Sequence, residues 1–212
     1  MTKAIIFDMD GTILNTLDDL TESVNIALEK FGFAKHTQNE VKSFVGNGVK
    51  LLFERALPPN TEECTKQKCI EHFKKTYSKN MYNHTKPYNG VLEVMKDLRN
   101  NGYKIGVVSN KFDKAVKKLG QRYFKGLIDI SIGQADDVPQ KPAPNGVLKA
   151  MRELGVQSAI LVGDSDVDIR TAKNAGIPSI GVTWGFRSKN DLCNANAIAE
   201  TPLELLEQIK NL

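Results

Sequence analysis

Two carboxylates stand two residues apart at the end of a short apolar run, Ala4-Ile5-Ile6-Phe7-Asp8-Met9-Asp10-Gly11-Thr12. In extended chain, residues i and i+2 project to the same side, so Asp8 and Asp10 can face one site. At about 4 Å, two like charges cost on the order of 4 kcal/mol at an effective dielectric of about 20. Such a pair invites a divalent cation, a shared proton or a nearby lysine. Gly11 lets the backbone turn sharply or approach a ligand closely.

Three further groups of polar residues follow apolar segments: Ser109-Asn110, Lys141, and Asp164 with Asp168. Together these residue types suit phosphoryl transfer. A carboxylate can attack phosphorus and split one difficult displacement into two. The transition state spreads charge over three oxygens, so positioning and charge stabilisation dominate. Mg²⁺ suits one or two carboxylates completed by phosphate oxygens and waters. Ser109 and Asn110 can donate hydrogen bonds to phosphate, and Lys141 supplies a fixed positive charge. Asp10 can protonate a leaving oxygen and later deprotonate an attacking water.

The elements that must position these groups alternate. Ala4 to Phe7 suits a strand buried on both faces. Helix is expected over residues 16–31, with Thr16 as N-cap, Asp18 and Asp19 in the first turn and Gly32 as the stop. Residues 38–82 continue helical, punctuated by Pro58-Pro59-Asn60. From Pro87 the pattern changes. Helices are expected over 91–100, from 113 to about 119, and over 142–154, 169–175 and 202–209. Strands are expected over 103–108, 127–132, 159–162, 177–183 and 195–199. That alternation predicts an α/β fold: a Rossmann-like parallel sheet with helices on both faces, interrupted after its first strand by an all-helical insert. In such a sheet all strand ends share one edge, which brings Asp8, Asp10, Ser109, Asn110, Lys141, Asp164 and Asp168 together.

The 212 residues can bury a sizeable core, and 41% hydrophobic and 25% charged residues are ordinary for a globular protein. The net charge of +4 is mild, and no basic stripe with interleaved aromatics points to nucleic acid. No apolar run approaches a membrane span and the first residues lack a signal-peptide core, so cytoplasmic residence is the default expectation. Cys64, Cys69 and Cys193 are a sparse, odd set, as expected of reduced thiols. The Asn83-His84-Thr85 sequon is discounted for want of a secretion signal.

Asp8-Met9-Asp10-Gly11-Thr12, Ser109-Asn110, Lys141-Pro142 and Gly163-Asp164-Ser165-Asp166-Val167-Asp168 resemble, in order and spacing, the four motifs of the haloacid dehalogenase-like hydrolases. The resemblance spans essentially the whole chain. It implies that Asp8 is the nucleophile, Asp10 the general acid/base and Lys141 a catalytic cation. It further implies Mg²⁺ held by Asp8, the main-chain carbonyl of Asp10 and Asp164, with Asp168 orienting Lys141 or the metal's waters. Gly11, through its amide, and Thr12 would join Ser109 and Asn110 around the phosphate. The second aspartate, Asp10, looks like the phosphotransferase branch rather than the dehalogenases. Residues 1–14 and 87–212 would form the hydrolase core, and residues 15–86 the family's mobile helical cap.

Phe44-Val45-Gly46-Asn47-Gly48 with Glu54-Arg55-Ala56-Leu57 resembles the cap loop of phosphoglycolate phosphatases, which adds Gly46, Asn47 and Gly48 to the substrate-binding candidates. Ser109-Asn110-Lys111, Asp136-Asp137-Val138 and Trp184-Gly185-Phe186 point the same way. Asn15 departs from the aspartate common there. The expected substrate is a small anionic phosphorylated metabolite, phosphoglycolate first, acted on by a monomer or homodimer. Pyrophosphatase and phosphosugar mutase are the alternatives within the superfamily. A receiver-type phospho-aspartate switch is the alternative of another class, weakened by the length of this chain and its helical insert.

Several features carry blander readings. Gly46-Asn47-Gly48 could be a plain helix-start turn. Asp164 to Asp168 imitates a calcium loop, but Ile169 and Ala175 stand where glycine and glutamate belong. Cys64, Cys69 and His72 lack a fourth zinc ligand. His36 and His84 read as surface residues, and Lys111 as an exposed helix-start residue or a substrate contact. Trp184 and Phe186 read as packing at a strand end. Arg187 is open between substrate and solvent.

Overall fold

The computed structural model describes residues 3–212 as two compact units, one of residues 15–86 and one of the flanking segments to Leu14 and from Pro87. The chain passes between them at two-residue strands, β2 (Leu14–Asn15) and β3 (Lys86–Pro87).

The α/β unit begins with β1 (Lys3–Phe7), whose Ala4, Ile5, Ile6 and Phe7 are almost wholly buried, as a strand covered on both faces requires. After the insert come α5 (Val91–Asn100), β4 (Lys104–Phe112), α6 (Asp113–Tyr123), β5 (Ile130–Gln134) and α7 (Asn145–Leu154). Then follow β6 (Ser158–Gly163), α8 (Asp166–Ala175), β7 (Ser179–Val182), β8 (Ala197–Ala199) and α9 (Pro202–Asn211). The sheet order is β5-β4-β1-β6-β7-β8, with every neighbouring pair parallel. The expected Rossmann-like parallel sheet is therefore present.

The helices bury one stripe each. On α5, Val91, Val94, Met95 and Leu98 recur at the helical period and are buried. One layer of core joins Ala4 and Ile6 of β1, Val108 of β4, Leu161 of β6 and Val147 and Ala150 of α7. Full burial of each Val, Leu or Ile side chain stabilises by about 1.5–3 kcal/mol. Pro202 in the first turn of α9 and the Thr201 hydroxyl, which accepts from the Glu204 amide at 3.2 Å, start that helix.

The helical unit holds α1 (Leu17–Lys30), α2 (Gln38–Phe44), α3 (Gly48–Ala56) and α4 (Glu63–Asn80). Leu20, Val24, Ala27 and Leu28 of α1, Leu52 and Phe53 of α3, and Cys69, Phe73 and Tyr77 of α4 are buried. Phe53 meets Phe73 edge-on and Phe73 stacks on Tyr77, each at 5.5 Å between centroids. Asp19, fully buried, accepts the amides of His84 and Thr85 at 2.9 Å. His36 is not a loose surface residue. Asn25 brackets its main chain with two 2.8 Å hydrogen bonds, and its Nε2 lies 2.8 Å from the Ala56 carbonyl. Among the described residues no helix is long and apolar enough to cross a membrane.

Candidate active site

Register decides what converges. Phe7 of β1 is paired with Val107 of β4 and with Val162 of β6. Asp8, Ser109 and Asp164 therefore leave the carboxyl edge of three adjacent strands at nearly the same level, where open α/β sheets place ligands. Directly after β1 the Met9 carbonyl accepts the amides of Thr12, Ile13 and Leu14 at 3.0–3.3 Å, closing a tight turn. Gly11 sits in that turn at φ +83°, and a Cβ there would overlap the Asp164 carboxylate, so only glycine fits.

Lys141 is the hinge of the buried charge cluster. Its Nζ lies 2.8 Å from Asp8 Oδ1 and 2.6 Å from Asp168 Oδ1. The other Asp168 oxygen, Oδ2, accepts from the Ser165 hydroxyl at 2.6 Å and the Ser165 amide at 3.2 Å, so both its oxygens are engaged. Carboxylate oxygens of Asp8, Asp164 and Asp168 lie within 4.8 Å of one another.

Electrostatics follow from that crowding. Burial, more than any neighbour, lifts Asp8 to a pKa of about 6; the Lys141 ammonium opposes this and the Asp168 charge adds to it. Burial, then Asp168 and Asp8, holds Asp164 well above the usual carboxylate range. For Lys141, burial disfavours the charge, but Asp168 and Asp8 outweigh it and raise the pKa above that of an ordinary lysine.

Asp8, Asp164 and Asp168 set three buried carboxylates around one buried ammonium, Lys141. That negative, all-oxygen donor set fits one hard dication such as Mg²⁺.

Two of the expected phosphate contacts have partners within the protein. The Gly11 amide donates to the Leu14 carbonyl at 2.9 Å. The Asn110 side chain meets the main chain of Lys141. Its Nδ2 donates to the Lys141 carbonyl at 3.0 Å and its Oδ1 accepts the Lys141 amide at 2.7 Å, a two-point bracket that fixes the lysine's backbone. Ser109 and Thr12 are buried at the same edge, and the Thr12 hydroxyl has no hydrogen-bond partner among the described residues. Gly46 and Asn47 lie in the helical unit, in the link from α2 to α3, and Gly48 begins α3; Arg55 Nη1 donates to the Phe44 carbonyl at 2.9 Å.

Other residues at the site take partners that their sequence context does not announce. Lys111 is 8% exposed, not an exposed helix-start residue, and its Nζ meets Asp10 Oδ1 at 2.9 Å and Oδ2 at 3.0 Å. Trp184 Nε1 donates to the Thr12 carbonyl at 3.0 Å, and the Phe186 amide donates to Asp164 Oδ2 at 2.6 Å. Between them a Cβ on Gly185 would overlap both Asp164 and the Gly11 carbonyl. Trp184-Gly185-Phe186 thus straps the turn after β1 to the Asp164 carboxylate. Tyr88 has its pKa raised by burial and, secondarily, by Asp164 and Asp10.

Known proteins match this arrangement along nearly the whole chain. The profile of the haloacid dehalogenase-like hydrolases matches residues 5–182. A phosphoglycolate phosphatase of Aquifex aeolicus is 32% identical over 191 residues, covering 89% of this chain and 88% of that protein. One of Agrobacterium fabrum is 34% identical over 196 residues, covering 88% and 82%. A crystal structure of a provisionally named phosphoglycolate phosphatase from Lactobacillus delbrueckii subsp. bulgaricus superposes with a TM-score of 0.92 at 35% identity, covering 99% of each chain. The chain belongs to the haloacid dehalogenase-like hydrolase family.

Proposed function

We propose that the protein is a Mg²⁺-dependent phosphatase that hydrolyses a small phosphomonoester, phosphoglycolate first among the candidates, through a phosphorylated Asp8. The observation that carries this reading is the Lys141 ammonium bridging Asp8 and Asp168 beside a third buried carboxylate, Asp164. A cation held by Asp8, the main-chain carbonyl of Asp10 and Asp164 would neutralise charge on the phosphoryl oxygens.

The residues then divide the work. An Asp8 carboxylate oxygen bonds to phosphorus as the ester P–O bond breaks, and Asp10 gives its proton to the departing alkoxide. Asp10 next takes a proton from water as that water attacks phosphorus. The Asp8–phosphorus bond breaks, orthophosphate leaves, and both aspartates are restored. Lys141 holds positive charge against the phosphoryl oxygens, Asp168 orients Lys141, and Asn110 fixes the lysine's backbone. Ser109 and Thr12 offer hydroxyls to the phosphate. The helical unit serves as the family's cap, with Gly46, Asn47 and Gly48 selecting the leaving group.

The relatives named above, which carry the name phosphoglycolate phosphatase, support that choice of substrate. The test is phosphate release from a panel of phosphomonoesters and pyrophosphate, with Mg²⁺, with chelator, and with Asp8→Asn. Preference for phosphoglycolate, lost on chelation and in Asp8→Asn, is the expected result. A flat panel removes the substrate, and turnover that survives loss of Asp8 removes the mechanism.

A further inference from the structure

Two carboxylates two residues apart leave β1, and a different lysine meets each. Lys141 serves Asp8 and Asp168, whereas Lys111 serves Asp10. The Lys111 and Asp10 side chains are only 4% and 12% exposed. A single ammonium within 3.0 Å of both oxygens restrains a carboxylate in position and in rotation. The strand places Lys111 for this contact. β4 continues to Phe112, but its ladder to β5 passes from Val108↔Ile132 to Phe112↔Gln134, four residues on one strand against two on the other. Irregularities of this kind re-aim side chains next to active sites. Here the segment that slips is Ser109 to Lys111, one arm of the site.

We propose that Lys111 is a positioning residue for the proton-transfer step, holding the Asp10 carboxyl group where it meets the leaving oxygen. The inference rests on the phosphatase reading and goes beyond it, because it ties Lys111 to one chemical event, protonation of the leaving group. An arm that only supported the fold, or only attracted the anionic substrate, would affect all phosphomonoesters alike. An arm that aims the acid matters in proportion to how badly the leaving group needs a proton. An alkoxide needs one; p-nitrophenolate departs as a stable anion.

The experiment compares kcat/KM for phosphoglycolate, ethyl phosphate and p-nitrophenyl phosphate in the full-length protein with Mg²⁺. Wild type, Lys111→Met, Lys111→Arg, Asp10→Asn and the Asp10→Asn/Lys111→Met double variant are measured. kcat/KM reports the steps through transfer to Asp8, where the leaving group departs. Well-placed acid catalysis is worth about 10²–10⁴-fold, so Lys111→Met is expected to lower the alkyl-to-aryl ratio of kcat/KM at least about tenfold. Lys111→Arg should recover most of that ratio. In the Asp10→Asn background, Lys111→Met should change the ratio no further.

Equal losses on all three substrates overturn the proposal in favour of a structural role. A loss confined to phosphoglycolate overturns it in favour of carboxylate recognition, and a ratio that falls again in the Asp10→Asn background overturns it too. If Lys111→Met does not fold, by thermal unfolding, Lys111→Gln takes its place with the same expected ratio. A wild-type protein inactive on every phosphomonoester overturns the phosphatase reading itself, an outcome distinct from the others.

Discussion

Removing the Lys141 ammonium while keeping its bulk, in Lys141→Met, should unfold the metal-free protein more easily by about 3 kcal/mol, at the low end of the roughly 3–5 kcal/mol lost when a buried pair is stripped of one partner. The structure sets that figure. Lys141 is buried and makes two charged contacts, at 2.8 Å to Asp8 and 2.6 Å to Asp168. Without it, three carboxylates within 4.8 Å of one another lose the ammonium that bridges two of them. The low end applies because a buried carboxylate can take up a proton rather than remain charged. For a chain of this size each kcal/mol moves the melting temperature by about 2–4 °C, so a fall of roughly 6–12 °C is expected. The assay is thermal and urea unfolding in chelator, followed by circular dichroism. Lys141→Met/Asp168→Asn should regain at least about 1 kcal/mol over Lys141→Met, because contacting residues couple by about 0.5–3 kcal/mol. A Lys141→Met protein as stable as wild type, or strictly additive losses in the double variant, would refute the charge argument.

Gly185→Ala should weaken Mg²⁺ binding about 10–100-fold, the usual effect of disturbing a group that orients a metal ligand, because its methyl overlaps Asp164 and the Gly11 carbonyl. Mg²⁺-induced thermal stabilisation reads this without turnover, and an unchanged titration curve would rule out the strap. Asn110→Ala should lower kcat with less effect on KM and cost about 1–3 kcal/mol, since it leaves a buried main-chain amide and carbonyl of Lys141 without their partner. Steady-state kinetics beside urea unfolding check both halves. Asp19→Ala should cost about 3 kcal/mol of stability, because two main-chain amides lose a fully buried charged acceptor. A change under about 0.5 kcal/mol in urea unfolding would contradict that account.

What could be read from sequence was what depends on local pattern. The apolar run before Asp8 and the β/α alternation predicted the parallel sheet, and α5 runs over Val91–Asn100 as its apolar period required. Boundaries moved where polar residues lie inside elements. β4 runs on through Ser109, Asn110 and Lys111 to Phe112, because buried polar residues at a sheet edge find partners rather than end the strand. α8 starts at Asp166 rather than at Ile169, on a Ser165/Asp168 capping box. α7 starts at Asn145 rather than at Pro142, since Pro142 and Pro144 lack the amides a helix interior needs.

Partnership was the harder part. Nothing local in Asn110 says that its amide brackets a lysine 31 residues away, and nothing in Lys111 says that its ammonium reaches an aspartate 101 residues earlier. The Trp184 contact with Thr12 spans 172 residues. Such contacts arise from strand order and register, which become visible only when β4, β1 and β6 lie side by side.

The most direct test of the central claim is acid quench of the protein during turnover of phosphoglycolate with Mg²⁺, followed by mass spectrometry of the peptide that carries Asp8. The account predicts a phosphoryl group on Asp8, absent in Asp8→Asn and absent without substrate. A phosphoryl group on another residue, or phosphate release with no phosphorylated peptide at any quench time, would contradict it.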